Sequence, residues 1–409
     1  MSGNKDNRLL HTPEGVRDIY GDEMLKKLSL ERKLKDVISS YGYRDIQTPS
    51  FEFFDIFSRE IGTTPSREIY KFFDNENNTL SLRPDFTPGV ARAAVKYFME
   101  EKLPIRLCYL GNTFSNRSDF QGKLKEITEL GAEYMGDPSV DADAEMIELS
   151  VKLLKTAGLT DFQICIGTAE YFMGLCDAAG LDEETKASLS DHIRNKNYFG
   201  TLDILNDIDI SPKIRDTLSS FSDFFGNAEI LDEALVRVKD IPRSRDAIQR
   251  LKDLYERLQI YGVDSFVTFD LGMLSRHHYY TGILFRAYTF GTGEPIIRGG
   301  RYDNLLGQFG KPGAAIGFTV VIEELLNILR HQRIEIPFTV RKKLVFYDSD
   351  SFKEAVGLGE SIRKEGYQVE LLRITPDCSE EQMRLHGKSV HAEKILVLQN
   401  GKETELELD

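Results

Sequence analysis

The chain has 409 residues, 41% hydrophobic and 29% charged, with a formal net charge of −14. These are globular values, and the length suits two or three domains able to bury a large core without staples. The acidic balance opposes binding of a polyanion such as tRNA except through a local basic face. The polar start at residues 1–6 has no signal-peptide core, and no apolar run is long enough to span a membrane. The expected compartment is therefore the cytoplasm. Cys108, Cys165, Cys176 and Cys378 show no CxxC spacing, and Cys165 within Ile164-Cys165-Ile166 reads as a packed core thiol.

Residues 1–10 are polar and expected to be flexible. Leu25, Leu28, Leu34, Val37, Ile38 and Tyr41 suit one face of an amphipathic helix that stops at Gly42. A short strand over 43–49 is expected to halt at Pro49. Two strands over 70–74 and 79–82 flank the turn Asn75-Glu76-Asn77-Asn78. Ile105, Leu107 and Tyr109 alternate as in a half-buried strand. Asp141 is placed to cap a helix carrying Ala144, Ile147, Val151 and Leu154, closed by Gly158.

From 168 to 262 helical spacing and dense charge replace β-branched alternation, which predicts a mostly helical insertion. Strands return at 266–270 and run to about 302, and a last helix is expected over 314–331. After Pro337, strands at 343–347, 368–372 and 394–398 alternate with helical stretches, a small βαβαβ unit. The chain thus reads as an α+β core over 1–167 and 263–335, a helical insertion over 168–262, and a small α/β domain over 338–409. No GxGxxG opens a helix, so a Rossmann site is unsupported.

Five segments then stand in a telling order. They are Thr12-Pro13-Glu14-Gly15-Val16-Arg17-Asp18; Tyr70-Lys71-Phe72-Phe73-Asp74 followed by Leu82-Arg83-Pro84-Asp85-Phe86-Thr87; and Gln121-Gly122-Lys123-Leu124-Lys125-Glu126 followed by Gly131-Ala132-Glu133. The last two are Tyr279-Tyr280-Thr281-Gly282-Ile283-Leu284-Phe285 and Gly299-Gly300-Arg301-Tyr302-Asp303. Over roughly residues 12–331 this succession resembles the catalytic core of histidyl-tRNA synthetase, a class II aminoacyl-tRNA synthetase. The resemblance implies an antiparallel class II sheet flanked by helices. It also implies a shortened anticodon-binding-like domain at the end, whose acidic finish at 403–409 fits an RNA surface poorly.

The resemblance assigns histidine contacts to Asp85, Thr87, Glu129, Glu133, Tyr280 and Tyr302, with Glu129 standing where the family usually has Gln. Carboxylates and phenols can hold an ammonium and an imidazole. Read without the resemblance, the tyrosines are core aromatics and the carboxylates surface charges. Three arginines that hold ATP in the family are replaced here, by Ser115, Ser275 and Glu324. One pair of unit charges about 4 Å apart is worth about 4 kcal/mol at an effective dielectric near 20, so reversing the sign at Glu324 removes several kcal/mol of ATP binding. Serine cannot copy the guanidinium fork. Arg117, two residues from Ser115, would share its face on a strand and could replace the missing cation in part, though not at 324; Arg276, one residue from Ser275, points to the wrong face. His277 and His278, adjacent on a strand, point oppositely and cannot chelate one ion, so no metal and no cofactor is expected.

A synthetase-like chain with a histidine pocket and no ATP clamp resembles a paralogue family, the regulatory subunits of ATP phosphoribosyltransferase. That resemblance implies a non-catalytic subunit in the first step of histidine biosynthesis, joined to a short catalytic subunit in a hetero-octamer, with histidine as effector, a homodimer inside the complex and no tRNA. The alternatives are a divergent histidyl-tRNA synthetase and a synthetase-like histidine or tRNA sensor for another partner.

Overall fold

The structure of the chain, a computed structural model, describes residues 10–58, 64–98, 100–101, 104–117, 124–274, 280–291 and 293–408. The expectations placed on Ser275, Arg276, His277, His278, Tyr279 and residues 121–123 lie outside the described residues. The chain divides into two compact units, Met1–Ile336 and Pro337–Asp409. The first unit holds β1 (Arg44–Asp45), β2 (Phe51–Phe53), β3 (Lys71–Phe73), β4 (Thr79–Leu82), β5 (Ile105–Phe114) and β6 (Glu126–Met135). It continues with β7 (Gln163–Thr168), β8 (Phe225–Gly226), β9 (Val267–Asp270), β10 (Ile283–Tyr288), β11 (Ile297–Arg301) and β12 (Ala315–Val321). Among the described residues no helix is long and apolar enough to cross a membrane.

One sheet dominates, nine-stranded among the described residues, in the order β1-β5-β6-β12-β11-β10-β7-β9-β8. From β5 to β7 every neighbouring pair is antiparallel. The pairs β1–β5 and β7–β9 are parallel. A parallel pair needs a long crossover, and the helical insertion supplies it between β7 and β9. A separate antiparallel sheet, β2-β4-β3, carries the expected turn, in which Asp74 Oδ1 accepts from the backbone of Glu76 at 2.9 Å and Asn78 at 2.8 Å.

Four sequence expectations need correction. Residues 315–321 form strand β12, not the start of a helix; the helix is Ile322–His331. The run Ala-Ile-Gly-Phe-Thr-Val-Val is buried nearly throughout and pairs on both sides, and a run buried on both faces loses the period that marks a strand. The strand over 43–49 shrinks to Arg44–Asp45. The helix Val140–Ala157 is capped by Ser139, whose side chain accepts from Ala142 N at 3.4 Å, while Asp141 sits in the first turn and pairs with Arg257.

The fourth correction concerns the helix Gly21–Ser40. Leu28 is 48% exposed, whereas Lys27 and Glu31 are buried beside Leu30, Leu34 and Ile38. Lys27 Nζ donates to Glu323 Oε1 at 2.6 Å and Thr128 Oγ1 at 2.5 Å, and Thr128 N donates to Glu323 Oε2 at 2.7 Å. A hydrophobicity count cannot anticipate a buried lysine whose partners lie far along the chain.

The insertion comprises helices Ala169–Ala178, Glu183–Arg194, Tyr198–Asp207, Pro212–Ser219, Glu229–Arg237 and Pro242–Tyr261. Asp182, Asn197 and Ser211 cap three of them through their side chains. Its apolar side chains Tyr171, Leu205, Leu218, Leu251 and Leu258 join one core with Leu34, Ile147, Leu154, Ile166, Phe269 and Phe285.

The second unit contains β13 (Lys342–Tyr347), β14 (Gln368–Arg373), β15 (Lys394–Gln399) and β16 (Lys402–Leu406) in the order β14-β13-β15-β16. The first three are parallel, and the acidic finish forms an antiparallel edge strand that the sequence reading did not anticipate. Alternate residues feed two cores. Leu344, Phe346, Ile395 and Val397 meet Met383 of helix Glu380–Ser389; Val345, Leu396 and Leu398 meet Ala355 and Ile362 of helix Phe352–Lys364.

Removing one member of a buried ion pair strands the other. Lys27→Ala is expected to cost about 3–5 kcal/mol in denaturant unfolding, and the double variant K27M/E323M to recover most of that loss.

Candidate functional site: a buried carboxylate cluster

Alternation along β6 sends Thr128, Leu130 and Ala132 to one face, where Leu130 and Ala132 enter the main core, and Glu129, Gly131 and Glu133 to the other. Register then places Glu133 opposite Leu107 of β5 and Gly317 of β12, and Gly317 opposite Gly300 of β11. A Cβ on Gly317 would overlap Glu133 Oε2, and one on Gly300 would lie 2.6 Å from Tyr280 Cε1. These two glycines make the room in which Glu133 and Tyr280 lie.

Glu133 is 1% exposed. Its carboxylate accepts from Thr87 Oγ1 at 3.0 Å, from the Tyr109 hydroxyl at 3.4 Å and from the Tyr302 hydroxyl. Thr87 begins the helix Thr87–Tyr97, and its N–H donates to Asp85 Oδ1 at 2.9 Å. Burial pushes the Glu133 carboxyl up to about 8; the Tyr302 and Thr87 hydroxyls hold it down, and the charge of Asp85 raises it again. Glu129 is also pushed up to about 8, by burial and then by Asp85, against the opposing pull of Arg298 and a hydrogen bond from Thr113. Asp85 thus lies close enough to both Glu129 and Glu133 to repel each of them. A cation such as an ammonium would relieve their repulsion, and the phenols of Tyr109 and Tyr302 offer polar contacts beside it. Among the described residues no group of His, Cys, Asp or Glu has the geometry to hold a metal.

The motif Gly299-Gly300-Arg301-Tyr302-Asp303 divides its labour by alternation. Gly300 and Tyr302 serve the cluster. Arg301, 3% exposed, goes to the opposite face, where Nε donates to Asp143 Oδ1 at 2.9 Å and Nη1 to Asp137 O at 3.1 Å. Asp303 Oδ1 accepts from Ala315 N at 2.8 Å and pins the start of β12. The tyrosine is therefore both a buried aromatic and a ligand of Glu133. Tyr109 and Phe86 were missed as site residues. Their rings stack at 4.3 Å, and the Tyr109 hydroxyl also shares a hydrogen bond with Thr319 at 2.9 Å. The alternation of Leu107 and Tyr109 was the available signal, since register puts that face beside Glu133.

The ATP-side positions differ sharply in charge. β5 ends at Phe114, so Ser115 and Arg117 lie beyond the strand and its alternation does not reach them. The Ser115 hydroxyl is buried without a hydrogen-bond partner among the described residues, and its N–H donates to Lys125 O at 2.8 Å. Arg117 Nε donates to Glu68 Oε2 at 2.5 Å, so that cation is already engaged, against the idea that it replaces the missing arginine. Glu324 is half-buried in the first turn of helix Ile322–His331, where a carboxylate suits the helix dipole, and it makes no hydrogen bond or ion pair among the described residues. Its neighbour Glu323 is buried and pairs with Lys27.

Fold and site together define a chain of the histidyl-tRNA synthetase type: the family model described as Histidyl-tRNA synthetase matches residues 15–325. A histidyl-tRNA synthetase from Nostoc sp. PCC 7120 shares the fold, with a TM-score of 0.77 at 18% identity, covering 98% of this chain and 97% of that one. A Bacillus halodurans structure, described as an ATP phosphoribosyltransferase regulatory subunit/histidyl-tRNA synthetase, gives a TM-score of 0.83 at 27% identity over 96% of this chain and 99% of that one. A curated ATP phosphoribosyltransferase regulatory subunit from Ruminiclostridium cellulolyticum is 36% identical over 381 residues, 93% of this chain and 91% of that protein. Its counterpart from Acetivibrio thermocellus is 36% identical over 365 residues, 88% of this chain and 86% of that protein. The chain belongs to the ATP phosphoribosyltransferase regulatory subunit family.

The raised Glu133 and Glu129 carboxyls fix the sign of one pH effect. Each rises from an ordinary 4.5 to about 8 on folding, so the native state binds more protons through that window. Their contribution is fully present below the ordinary value and is lost as pH rises through about 8. The thermal midpoint is expected to fall across that range, and Glu133→Gln to flatten the fall. Tyr302→Phe removes a donor that favours the ionised form of the buried Glu133 carboxyl, and it is expected to cost about 1–3 kcal/mol by denaturant unfolding above pH 8, more than at pH 6.

Proposed function

We propose that this chain is a non-catalytic regulatory subunit of ATP phosphoribosyltransferase, required by a short catalytic subunit for the first step of histidine biosynthesis. Membership of the family supports the role. The observation that carries it is a split in the site. The Asp85–Glu129–Glu133 cluster with Tyr280 and Tyr302 keeps groups suited to an ammonium and an imidazole, while Ser115 and Glu324 offer no cation to a triphosphate. Free histidine is the effector on this reading. Its ammonium docks among the three carboxylates, and the hydroxyls orient the rest. Ser275 is a third lost cation by resemblance. Activation of an amino acid by ATP depends on electrostatic clamping that these positions no longer supply. The chain works as a homodimer within a hetero-octamer in the cytoplasm, without tRNA. Histidine bound better in one state of that assembly shifts its equilibrium, and the coupling is reciprocal.

Size-exclusion chromatography with a short-form catalytic subunit tests the partnership. Co-elution and a gain in phosphoribosyltransferase activity are expected, and separate peaks with no gain would remove the assignment. The isolated chain should show no histidine-dependent ATP–pyrophosphate exchange; clear turnover would make it a synthetase.

Histidine binding should be linked to proton release. An ammonium favours ionised carboxylates, and the free site holds Glu129 and Glu133 near about 8. Affinity should therefore rise toward pH 8, by about tenfold per pH unit for each proton released. Calorimetry in buffers of different ionisation heat measures this, and Glu133→Gln should weaken binding and remove one of the two released protons, leaving that of Glu129.

A further inference from the structure

The same face of the large sheet carries a second cavity that shares no residue with the carboxylate cluster. It lies over β10, β7, β9 and β8, roofed by the end of helix Glu183–Arg194 and the start of Tyr198–Asp207, with a volume of about 410 Å³. That is within the range of roughly 300–1,000 Å³ typical of small-molecule sites. Register explains its floor: Arg286 of β10 stands opposite Cys165 of β7, and Cys165 opposite Thr268 of β9, so these side chains share one face.

The charges of the cavity are unbalanced. Arg194 is held by Asp191 at 2.5 Å. Arg286 and Lys196 both line the cavity and interact electrostatically with Asp270 and Cys165, yet neither has a carboxylate within ion-pairing distance among the described residues. Asp270 is the one acid on the wall, and its Oδ1 already accepts from Gly272 N at 2.9 Å. Two cations against one half-buried carboxylate leave a positive excess in a protein whose net charge is −14. The remaining walls include the rings of Tyr198, Phe221, Phe225 and Tyr288, of which Phe225 is 60% exposed and Tyr198 40%. Aromatic walls suit a flat polarisable ring, and uncommitted cations suit an anion. Burial pushes the Cys165 thiol up to about 12, so the cavity holds no ready thiolate nucleophile.

We propose that this cavity beneath the helical insertion is a second ligand site, for a small planar ring bearing one anionic group, held between Arg286 and Lys196. The phosphate and carboxylate versions of that chemistry can be separated by probe. Full-length protein would be titrated calorimetrically with adenosine 5′-monophosphate and with indole-3-carboxylate, using adenosine and indole as neutral counterparts. At least one anion is expected to bind, its neutral counterpart about tenfold more weakly or worse. Lys196 sits on an exposed turn, so Lys196→Glu should leave circular dichroism unchanged while weakening the anion at least about tenfold, and Lys196→Arg should retain it. Arg286→Gln should weaken it likewise. Failure of both anions to bind at millimolar concentration would overturn the proposal, as would binding that is indifferent to both Lys196→Glu and Arg286→Gln.

Discussion

One constraint organises the first unit: a carboxylate buried at the centre of a sheet. An ionised group without partners is costly in a protein interior, and Glu133 is tolerated because three hydroxyls donate to it. Each donor comes from a different part of the chain: Thr87 from a helix start, Tyr109 from β5, Tyr302 from the end of β11. The carboxylate needs space as well, and Gly317 across the β6–β12 pair provides it. Misplacing any one of these elements would leave a buried charge unsatisfied. The packing of the sheet and the chemistry of the site are therefore one problem.

The same arrangement gives the site its selectivity of charge. Desolvation holds Glu133 and Glu129 near neutrality, and Asp85 adds to the pressure. A ligand cation lowers that energy, whereas a triphosphate raises it. The cations that act on Glu129 are committed elsewhere, Arg298 to Glu294 and Arg83 to the backbone carbonyls of Asn112 and Thr48, while Arg301 and Lys27 pair with Asp143 and Glu323 on the opposite face. The cavity under the insertion has the reverse polarity, with Lys196 and Arg286 making no ion pair among the described residues, so one sheet face presents an anionic cluster and a cationic cavity.

Much of the first unit was legible in the sequence because its motifs are local. The turn around Asn77, the helix closed by Gly158 and the helical character of 169–261 all follow from short-range chemistry. The readings that failed did so where long-range pairing overrode local pattern. β12 looked helical because burial on both faces erased its period. Leu28 was placed on the buried face, where Lys27 sits instead because its partners lie about a hundred and about three hundred residues away. Arg117 looked available because the strand was assumed to continue past Phe114.

The sequence by itself determined the order of the motifs, the residue types of the buried carboxylate cluster and the absence of arginine at 115 and 324, since these are facts of composition at position. Tertiary structure alone decided which carboxylates meet, that Tyr109 joins them, and that Glu323 is buried against Lys27 while Glu324, its neighbour in the chain, is half-buried. It also decided that Cys165, a core thiol by pattern, stands beside two cations in a cavity. The physical reason is register. A sheet assigns each side chain to a face and a neighbour only when distant strands pair, and the electrostatics of this protein reside in those pairings.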